Sequence, residues 1–326
     1  MSEYFRVLVI DGGGIRGIIP ATILKNIEAK LPGRISDHFD MIVGTSTGGI
    51  LACMYLCPTE NNAYSPRFTA ENALDFYLDY GPKIFECSFW HKCSSLGGIS
   101  DEKYQKHTFR KLVQDHVGDT KMSDLIRPCV ITAYDIERRI PHYFKQHKAL
   151  NDPKKDFRVV DCALSTSAAP TYFEAEKIRS AGGTEHALVD GGVFANNPCM
   201  AAFVECEKLR EGKPVFILSL GTGGCKNPYL WEKAKDFGKL QWIKPMFDIL
   251  WSGASESTHA YMNQIFSDRP DWKYVRIDPK LCGKASSDMD NVKKENMETL
   301  RYIGEKETRN MAESGLMDKI VSLLTS

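Results

Sequence analysis

The residues with the clearest chemical potential are the Gly-Thr-Ser-Thr-Gly run at positions 44–48, whose central residue is Ser46. The apolar-leaning residues Phe39–Val43 precede this run, and a stretch typical of a helix, Ile50–Leu56, follows it. A serine at a sharp turn from strand to helix exposes its hydroxyl, and flanking glycines remove side chains that would clash there. N–H groups at the start of such a helix stabilise a developing oxyanion. The pattern predicts that Ser46 is a nucleophile, and a glycine-rich structural turn is the alternative.

A second glycine-rich turn, Gly12, Gly13 and Gly14, follows the first predicted strand. Successive glycines let several N–H groups point into one concavity, which binds anions. Both glycine turns would lie at the carboxyl edge of the sheet, so these residues are predicted to form an oxyanion hole for Ser46. The spacing also fits a dinucleotide-binding loop, but the acidic residue that such a loop needs after the second strand is missing. For Arg16, contact with a substrate phosphate and bracing of the loop stay open.

A serine hydroxyl needs a base, because it is a weak nucleophile at neutral pH. None of the eight histidines lies in a late loop flanked by glycine or aspartate, as a Ser–Asp–His hydrolase would need. His259 fits best by chain order, but it lies in a helical stretch. Asp190 is the stronger candidate, since it follows an apolar strand and precedes two glycines, and partial desolvation would raise its pKa. An aspartate that caps a turn is the alternative.

The elements that must position these residues alternate between strands and helices. This alternation predicts a mostly parallel sheet with helices on both faces. No linker or repeat is evident, so residues 1–326 are expected to form one domain. Strands are predicted over 6–10, 39–43, 128–134 (with a hairpin partner at 141–144), 187–189, 215–220 and 274–277, and helices over 18–31, 70–86, 101–117, 156–167, 200–210 and 291–313.

Composition excludes several other classes. The 326 residues carry 42 basic and 42 acidic side chains, without the basic excess of nucleic-acid binders. No run of eighteen apolar residues predicts a membrane-spanning helix, and the N-terminus lacks the features of a signal peptide. The ten cysteines are scattered without a Cys-x-x-Cys pair, which favours free thiols in a reducing compartment. We therefore expect a cytoplasmic protein, and the neutral net charge does not exclude peripheral membrane contact through apolar residues; leaderless secretion stays open.

Three motifs occur in a fixed order: Asp-Gly-Gly-Gly-Ile-Arg-Gly at 11–17, the serine motif at 44–48, and Asp-Gly-Gly at 190–192. Together they resemble the patatin-like phospholipase family, and residues 165–173 are similar to a block that this family carries before its aspartate. The resemblance covers residues 5–225. Residues 226–326 show no catalytic motif and are expected to complete the same domain.

This resemblance implies a three-layer α/β/α sandwich in which Ser46 is the nucleophile and Asp190 the base, without histidine. Gly12, Gly13 and Gly14 would form the oxyanion hole. The implied reaction is hydrolysis of fatty-acyl esters of phospholipids or galactolipids at a membrane surface, through an acyl-serine. No cofactor or metal is implied, and neither is calcium dependence.

Two other functions stay open for the same fold. One is a membrane-degrading phospholipase effector that a nucleotide second messenger activates, and the other is a non-catalytic storage or binding protein. Residues 226–326 could hold a nucleotide site or a homo-oligomer interface, although no motif shows either. Two aromatic stretches, Phe85–Lys92 and Tyr229–Trp251, could line an acyl cleft or touch a bilayer, and ordinary packing is the favoured alternative.

Overall fold

The structure is a computed structural model that describes residues 4–85, 99–224 and 228–326. Its strands are β1 (Phe5–Ile10), β2 (Met41–Thr45), β3 (Pro58–Thr59), β4 (Asn62–Pro66), β5 (Cys129–Asp135), β6 (Ile140–Lys145), β7 (Glu176–Arg179), β8 (Glu185–Asp190), β9 (Val215–Leu220) and β10 (Lys273–Ile277). Its helices are α1 (Ile18–Glu28), α2 (Thr47–Leu56), α3 (Ala70–Phe85), α4 (Ile99–Val117), α5 (Gln146–Ala149), α6 (Val159–Thr166), α7 (Gly192–Ala195), α8 (Cys199–Leu209), α9 (Trp231–Ala234), α10 (Lys239–Ser267), α11 (Lys294–Glu313) and α12 (Leu316–Thr325).

The main sheet has the strand order β10-β9-β1-β2-β5-β8-β7, with β6 also paired to β5. The ladder from β10 to β5 is parallel, whereas β6, β8 and β7 pair antiparallel. Strands β1 and β9 are apolar except for Arg6 and Ser219, and every residue of both is buried, as expected of strands inside a parallel sheet. The predicted mostly parallel sheet is confirmed.

Helices cover both faces of this sheet. Alternate residues of β1 point to opposite sides, so Leu8 joins one apolar core and Val9 joins the other. The larger core holds residues of α1, α2, α3, α6, α11 and α12, and the smaller one holds residues of α8 and α10. The result is the three-layer α/β/α arrangement. Residues after 228 add β10 to the sheet edge and place α11 against α1.

Several predicted boundaries were wrong. The second strand is Met41–Thr45 rather than 39–43, so it ends directly before Ser46. The strand predicted over 187–189 is the end of the longer β8, which is antiparallel to its neighbours. The 29-residue helix α10 was not predicted. Of the aromatic stretch Phe85–Lys92, residues 86–92 lie outside the described residues.

Candidate active site

Ser46 occupies a strained turn between β2 and α2. Its backbone has φ of 54° and ψ of −122°, a conformation that residues other than glycine rarely adopt. The turn is held by its own N–H, which donates to the Thr166 hydroxyl at 2.8 Å, while that hydroxyl donates to the carbonyl of Thr132 at 2.6 Å. The strain is therefore maintained by two neighbouring elements, and it places Ser46 at the N-terminus of α2.

The two glycines of the serine motif are required by close packing of this turn. A Cβ on Gly44 would lie 2.2 Å from the carbonyl oxygen of Gly48. A Cβ on Gly48 would lie 2.2 Å from the carbonyl oxygen of Ile10, the last residue of β1. Any side chain at either position would push α2 away from the strand ends, so the spacing of the motif has a direct steric cause.

Strand β8 brings Asp190 to Ser46. Thr45 at the end of β2 pairs with Thr132 of β5, and Asp190 at the end of β8 pairs with the next residue, Ala133. Because β2 is parallel and β8 antiparallel to β5, the two strands run toward each other and meet end to end. The side chains of Ser46 and Asp190 come together across this junction and line the same pocket, close enough for the Ser46 hydroxyl to lower the pKa of Asp190.

The environment of Asp190 strengthens it as a base. Burial raises the pKa of this carboxyl to about 7, although hydrogen bonds from the Ser46 hydroxyl and the Gly192 N–H act in the lowering direction. The Gly192 N–H donates to Oδ1 at 2.7 Å. A carboxylate with a pKa near neutrality accepts a proton from a hydroxyl far more readily than an ordinary aspartate does.

Of the three predicted oxyanion-hole glycines, two line the pocket beside Ser46, namely Gly13 and Gly14. No described residue accepts a hydrogen bond from their N–H groups. Gly12 differs, because its N–H donates to the carbonyl of Asn196 at 3.0 Å. An amide with a protein partner is not free for an oxyanion, so including Gly12 among the donors was wrong. Gly12 instead anchors the loop.

The glycine loop is also fixed from below by a buried ion pair that the sequence did not reveal. Arg276 of β10 donates to both carboxylate oxygens of Asp11, at 2.9 and 2.6 Å, and both side chains are at least 92% buried. Burial raises the pKa of Asp11 to about 6, and Arg276 partly offsets this effect. Asp11 leads directly into the glycines, so Arg276 helps to set their position.

Arg16 braces the loop and is absent from the pocket lining. Its guanidinium donates to the carbonyl oxygens of Gly13 at 3.3 Å and Gly223 at 3.0 Å. Of the two alternatives, bracing is the one that the structure shows, and contact with a substrate phosphate has no support in this geometry.

His259 lies elsewhere. Its Nδ1 is 3.1 Å from the hydroxyl of Tyr274 and its Nε2 is 3.2 Å from the side chain of Asn263. No histidine is found among the described residues that line the pocket. The described lining of this pocket thus brings Ser46 and Asp190 together and includes none of the histidines.

The pocket at Ser46 and Asp190 is mostly apolar and encloses about 480 Å³, including space open to solvent. An acyl chain suits such a lining better than a charged substrate would. Two wall residues, Trp251 and Met289, come from the region where the sequence showed no catalytic motif. Trp251 ends the aromatic stretch that could line an acyl cleft, with ordinary packing as the favoured alternative, whereas sequence reasoning missed Met289. The apolar side chains of the wall are Ile50, Ala169, Tyr172, Phe173, Trp251 and Met289.

The described residues contain neither a His/Cys/Asp/Glu cluster suited to a metal ion nor a helix long and apolar enough to cross a membrane. Seven cysteines are described and all are free thiols, six of them buried. Cys87, Cys93 and Cys225 lie outside the described residues.

Comparison with known proteins identifies the class of protein to which this fold and this pocket belong. Residues 8–203 match the family model described as patatin-like phospholipase. The chain belongs to this family, whose activity in general is that of lipid acyl hydrolases.

Two relatives illustrate the match. The chain is 35% identical to "Patatin-like protein 2" of Oryza sativa subsp. indica, covering 92% of this chain and 82% of the relative. It is 32% identical to "Probable inactive patatin-3-Kuras 1" of Solanum tuberosum, covering 94% and 86%. A solved structure, VipD from Legionella pneumophila, matches over 96% of this chain and 67% of its own, with 13% identity and a TM-score of 0.44. That structural likeness is too low to support an argument.

Proposed function

We propose that this protein hydrolyses fatty-acyl esters of phospholipids or galactolipids through a Ser46–Asp190 dyad. The observation that carries the proposal is that Ser46, in a strained turn, and a buried Asp190 whose pKa is raised to about 7 line the same pocket. Since one relative is named inactive, family membership alone does not establish turnover, and the geometry of this chain must support it.

In the first half-reaction, Asp190 takes the hydroxyl proton as the Ser46 oxygen attacks the ester carbonyl. The N–H groups of Gly13 and Gly14, with the N-terminus of α2, stabilise the tetrahedral oxyanion. When the C–O bond breaks, Asp190 returns its proton to the leaving alcohol. The products at this stage are an acyl-serine and a lysolipid.

In the second half-reaction, Asp190 takes a proton from a water molecule that attacks the acyl-serine. Collapse of this second tetrahedral intermediate releases the fatty acid and returns the proton to Ser46. A carboxylate has no tautomers, so the dyad needs no third residue of the kind that orients a catalytic histidine.

The test is fatty-acid release from mixed phospholipid and galactolipid vesicles. We expect release by the wild type and at least a ~100-fold loss in both Ser46→Ala and Asp190→Asn. Ser267 and Asp268, which are exposed and adjacent to each other outside the pocket lining, provide matched controls. Ser267→Ala and Asp268→Asn should retain full activity. Absence of release by the wild type would favour a storage or binding protein, and release only with a nucleotide extract would favour an activated effector.

A further inference from the structure

The described surface has one concentration of exposed apolar side chains. Sixteen large apolar side chains are exposed in the described residues, and eight of them lie between 229 and 250. The most exposed are Leu240 at 82%, Trp231 at 70% and Leu230 at 56%. We call this set the α10 face, because five of its members lie on α10 and Tyr229 is tied to that helix by a hydrogen bond from its hydroxyl to Asp248 at 2.6 Å. A large patch of exposed apolar side chains marks an interaction site. Its members are Tyr229, Leu230, Trp231, Leu240, Trp242, Met246, Ile249 and Leu250.

Helix α10 is apolar on two sides. Trp242, Met246 and Ile249 recur every three to four residues, so they share its outward side. Trp251 and Met262, on the inward side, are buried. An ordinary surface helix carries polar residues on its outward side. Among the described residues, this outward side of α10 stays exposed.

The same helix forms part of the catalytic pocket. Trp251 lines that pocket, and the next turn is tied to its rim by a hydrogen bond from Asn196 to the Ser255 hydroxyl at 3.2 Å. Leu250, on the α10 face, directly precedes Trp251. The same helix therefore carries both the exposed apolar side chains and a wall of the substrate site.

We propose that the α10 face docks on a lipid bilayer and so delivers the lipid to the pocket, an inference that rests on the proposed function. Carrying an acyl chain through water costs about 0.8 kcal/mol for each CH₂, so a pocket that receives acyl chains benefits from direct contact with the membrane. Tryptophan and tyrosine suit the membrane–water interface. The exposed charges beside the face are mixed, Lys233 and Lys239 with Glu232 and Asp236, so the aromatic and apolar side chains carry the preference. These features favour a bilayer over a protein partner.

The test uses phosphatidylcholine vesicles with and without phosphatidylglycerol, and protein in a Ser46→Ala background to prevent hydrolysis. Leu240→Ser/Leu250→Ser should weaken co-sedimentation with vesicles roughly a hundredfold. The matched control is Tyr64→Ser/Tyr302→Ser, which removes two side chains of 88% and 52% exposure outside the face and should bind as the parent does.

In the active background, the leucine variant should lose hydrolysis of vesicle lipid while its turnover of p-nitrophenyl butyrate, a water-soluble ester, stays unchanged. Unchanged vesicle binding by the leucine variant would overturn the docking proposal. A loss of self-association in that variant would then indicate that a second copy of the chain covers the face, and a loss of thermal stability would indicate that another part of this chain covers it. Failure of the wild type to turn over either substrate would refute the proposed function and leave the binding result intact.

An independent observation concerns Trp251 itself. Its indole nitrogen is buried and has no hydrogen-bond partner, although the ring lines the pocket. This nitrogen lies 3.5 Å from the point where a Cβ on Gly192 would stand, and Oδ1 of Asp190 lies 3.1 Å from the same point. A buried donor without an acceptor is costly, and a ligand can satisfy it.

We infer that the Trp251 N–H donates to an oxygen of the bound lipid. Trp251→Phe keeps an aromatic ring and removes the donor, so kcat/KM should fall roughly tenfold. A loss with phospholipid alone would locate the acceptor in the headgroup or glycerol, and a loss with p-nitrophenyl butyrate as well would locate it in the ester. If Trp251→Phe equals the wild type on both substrates, with Trp251→Ala impaired, the residue only fills space and the inference is wrong.

Discussion

Replacement of Asp190 by asparagine should abolish activity and yet stabilise the protein above neutral pH. The carboxyl is 3% exposed, and its burial raises the pKa from an ordinary 3.8 to about 7. A raised pKa in the folded state means that folding favours the protonated form. The wild type therefore loses stability as the pH rises from about 4, where the carboxyl ionises in the unfolded state but not in the folded state, to above about 7, where it is ionised in both.

The size of this effect follows from the pKa difference. About three units at ~1.36 kcal/mol each give up to ~4 kcal/mol in the free energy of unfolding. Asparagine has nearly the same shape and no charge, so the variant avoids this loss. We expect equal stability of the two proteins near pH 4 and an advantage of up to ~4 kcal/mol for Asp190→Asn above pH 7.

The assay is urea unfolding followed by tryptophan fluorescence at a series of pH values. Asp268→Asn, at an exposed site, should keep the pH dependence of the wild type. The Ser46 hydroxyl lowers the pKa of Asp190, so its removal should raise that pKa further. Ser46→Ala should therefore lose more stability with rising pH than the wild type does. Parallel stability curves for wild type and Asp190→Asn across this range would refute the idea that a buried ionised carboxylate is maintained at a cost in stability.

Three further predictions concern the base, the loop and the elbow. The kcat/KM for a soluble ester should rise with pH through about 7, since only ionised Asp190 accepts a proton; a midpoint near 4 would contradict this. Arg276→Met should lower the free energy of unfolding, measured by thermal unfolding, by ~3–5 kcal/mol, and adding Asp11→Asn should restore part of the lost stability. Equal melting of the wild type and Arg276→Met would disprove a stabilising role of the buried pair. Gly48→Ala should destabilise by more than ~2 kcal/mol in urea unfolding, whereas Gly253→Ala, where a Cβ meets nothing within 4 Å, should stabilise slightly; similar effects would contradict the steric argument.

The nucleophile and base could be predicted because their signals are local. Gly44 and Gly48 flank Ser46 within one turn, and the strand before Asp190 is short, apolar and followed by glycines. These features depend on backbone geometry over a few residues, which the sequence specifies directly. That the two motifs meet depends on β8 joining β5 in antiparallel register, which no local pattern indicated.

Arg276 and Met289 could not be found in this way, and Trp251 could be found only as the last residue of an aromatic stretch for which ordinary packing is the favoured alternative. Arg276 reaches Asp11 across 265 positions, through the pairing of β10 with β9, and a lone arginine in a strand carries no signal of that partner. Asp11 indicates only that some partner is needed, because a buried carboxyl requires one, and it does not indicate which residue that partner is. Helix α10 escaped prediction because its first half is apolar on two sides and includes Pro245, so it lacks the single apolar stripe that identifies a surface helix.

The Gly12 prediction failed for a related reason. Three consecutive glycines indicate a concave backbone, but not which N–H groups remain free inside it. The register of the loop against Asn196 decides that Gly12 is occupied, and residues 12 and 196 are far apart in the chain.

The central claim is that Asp190 activates Ser46 for nucleophilic attack. The most direct measurement is labelling with an alkyl fluorophosphonate, followed by peptide mass spectrometry and by the rate of adduct formation. The account predicts one adduct, on Ser46, that is absent in Ser46→Ala and forms at least ~100-fold more slowly in Asp190→Asn. An adduct on another residue, or labelling of Asp190→Asn at the wild-type rate, would contradict it.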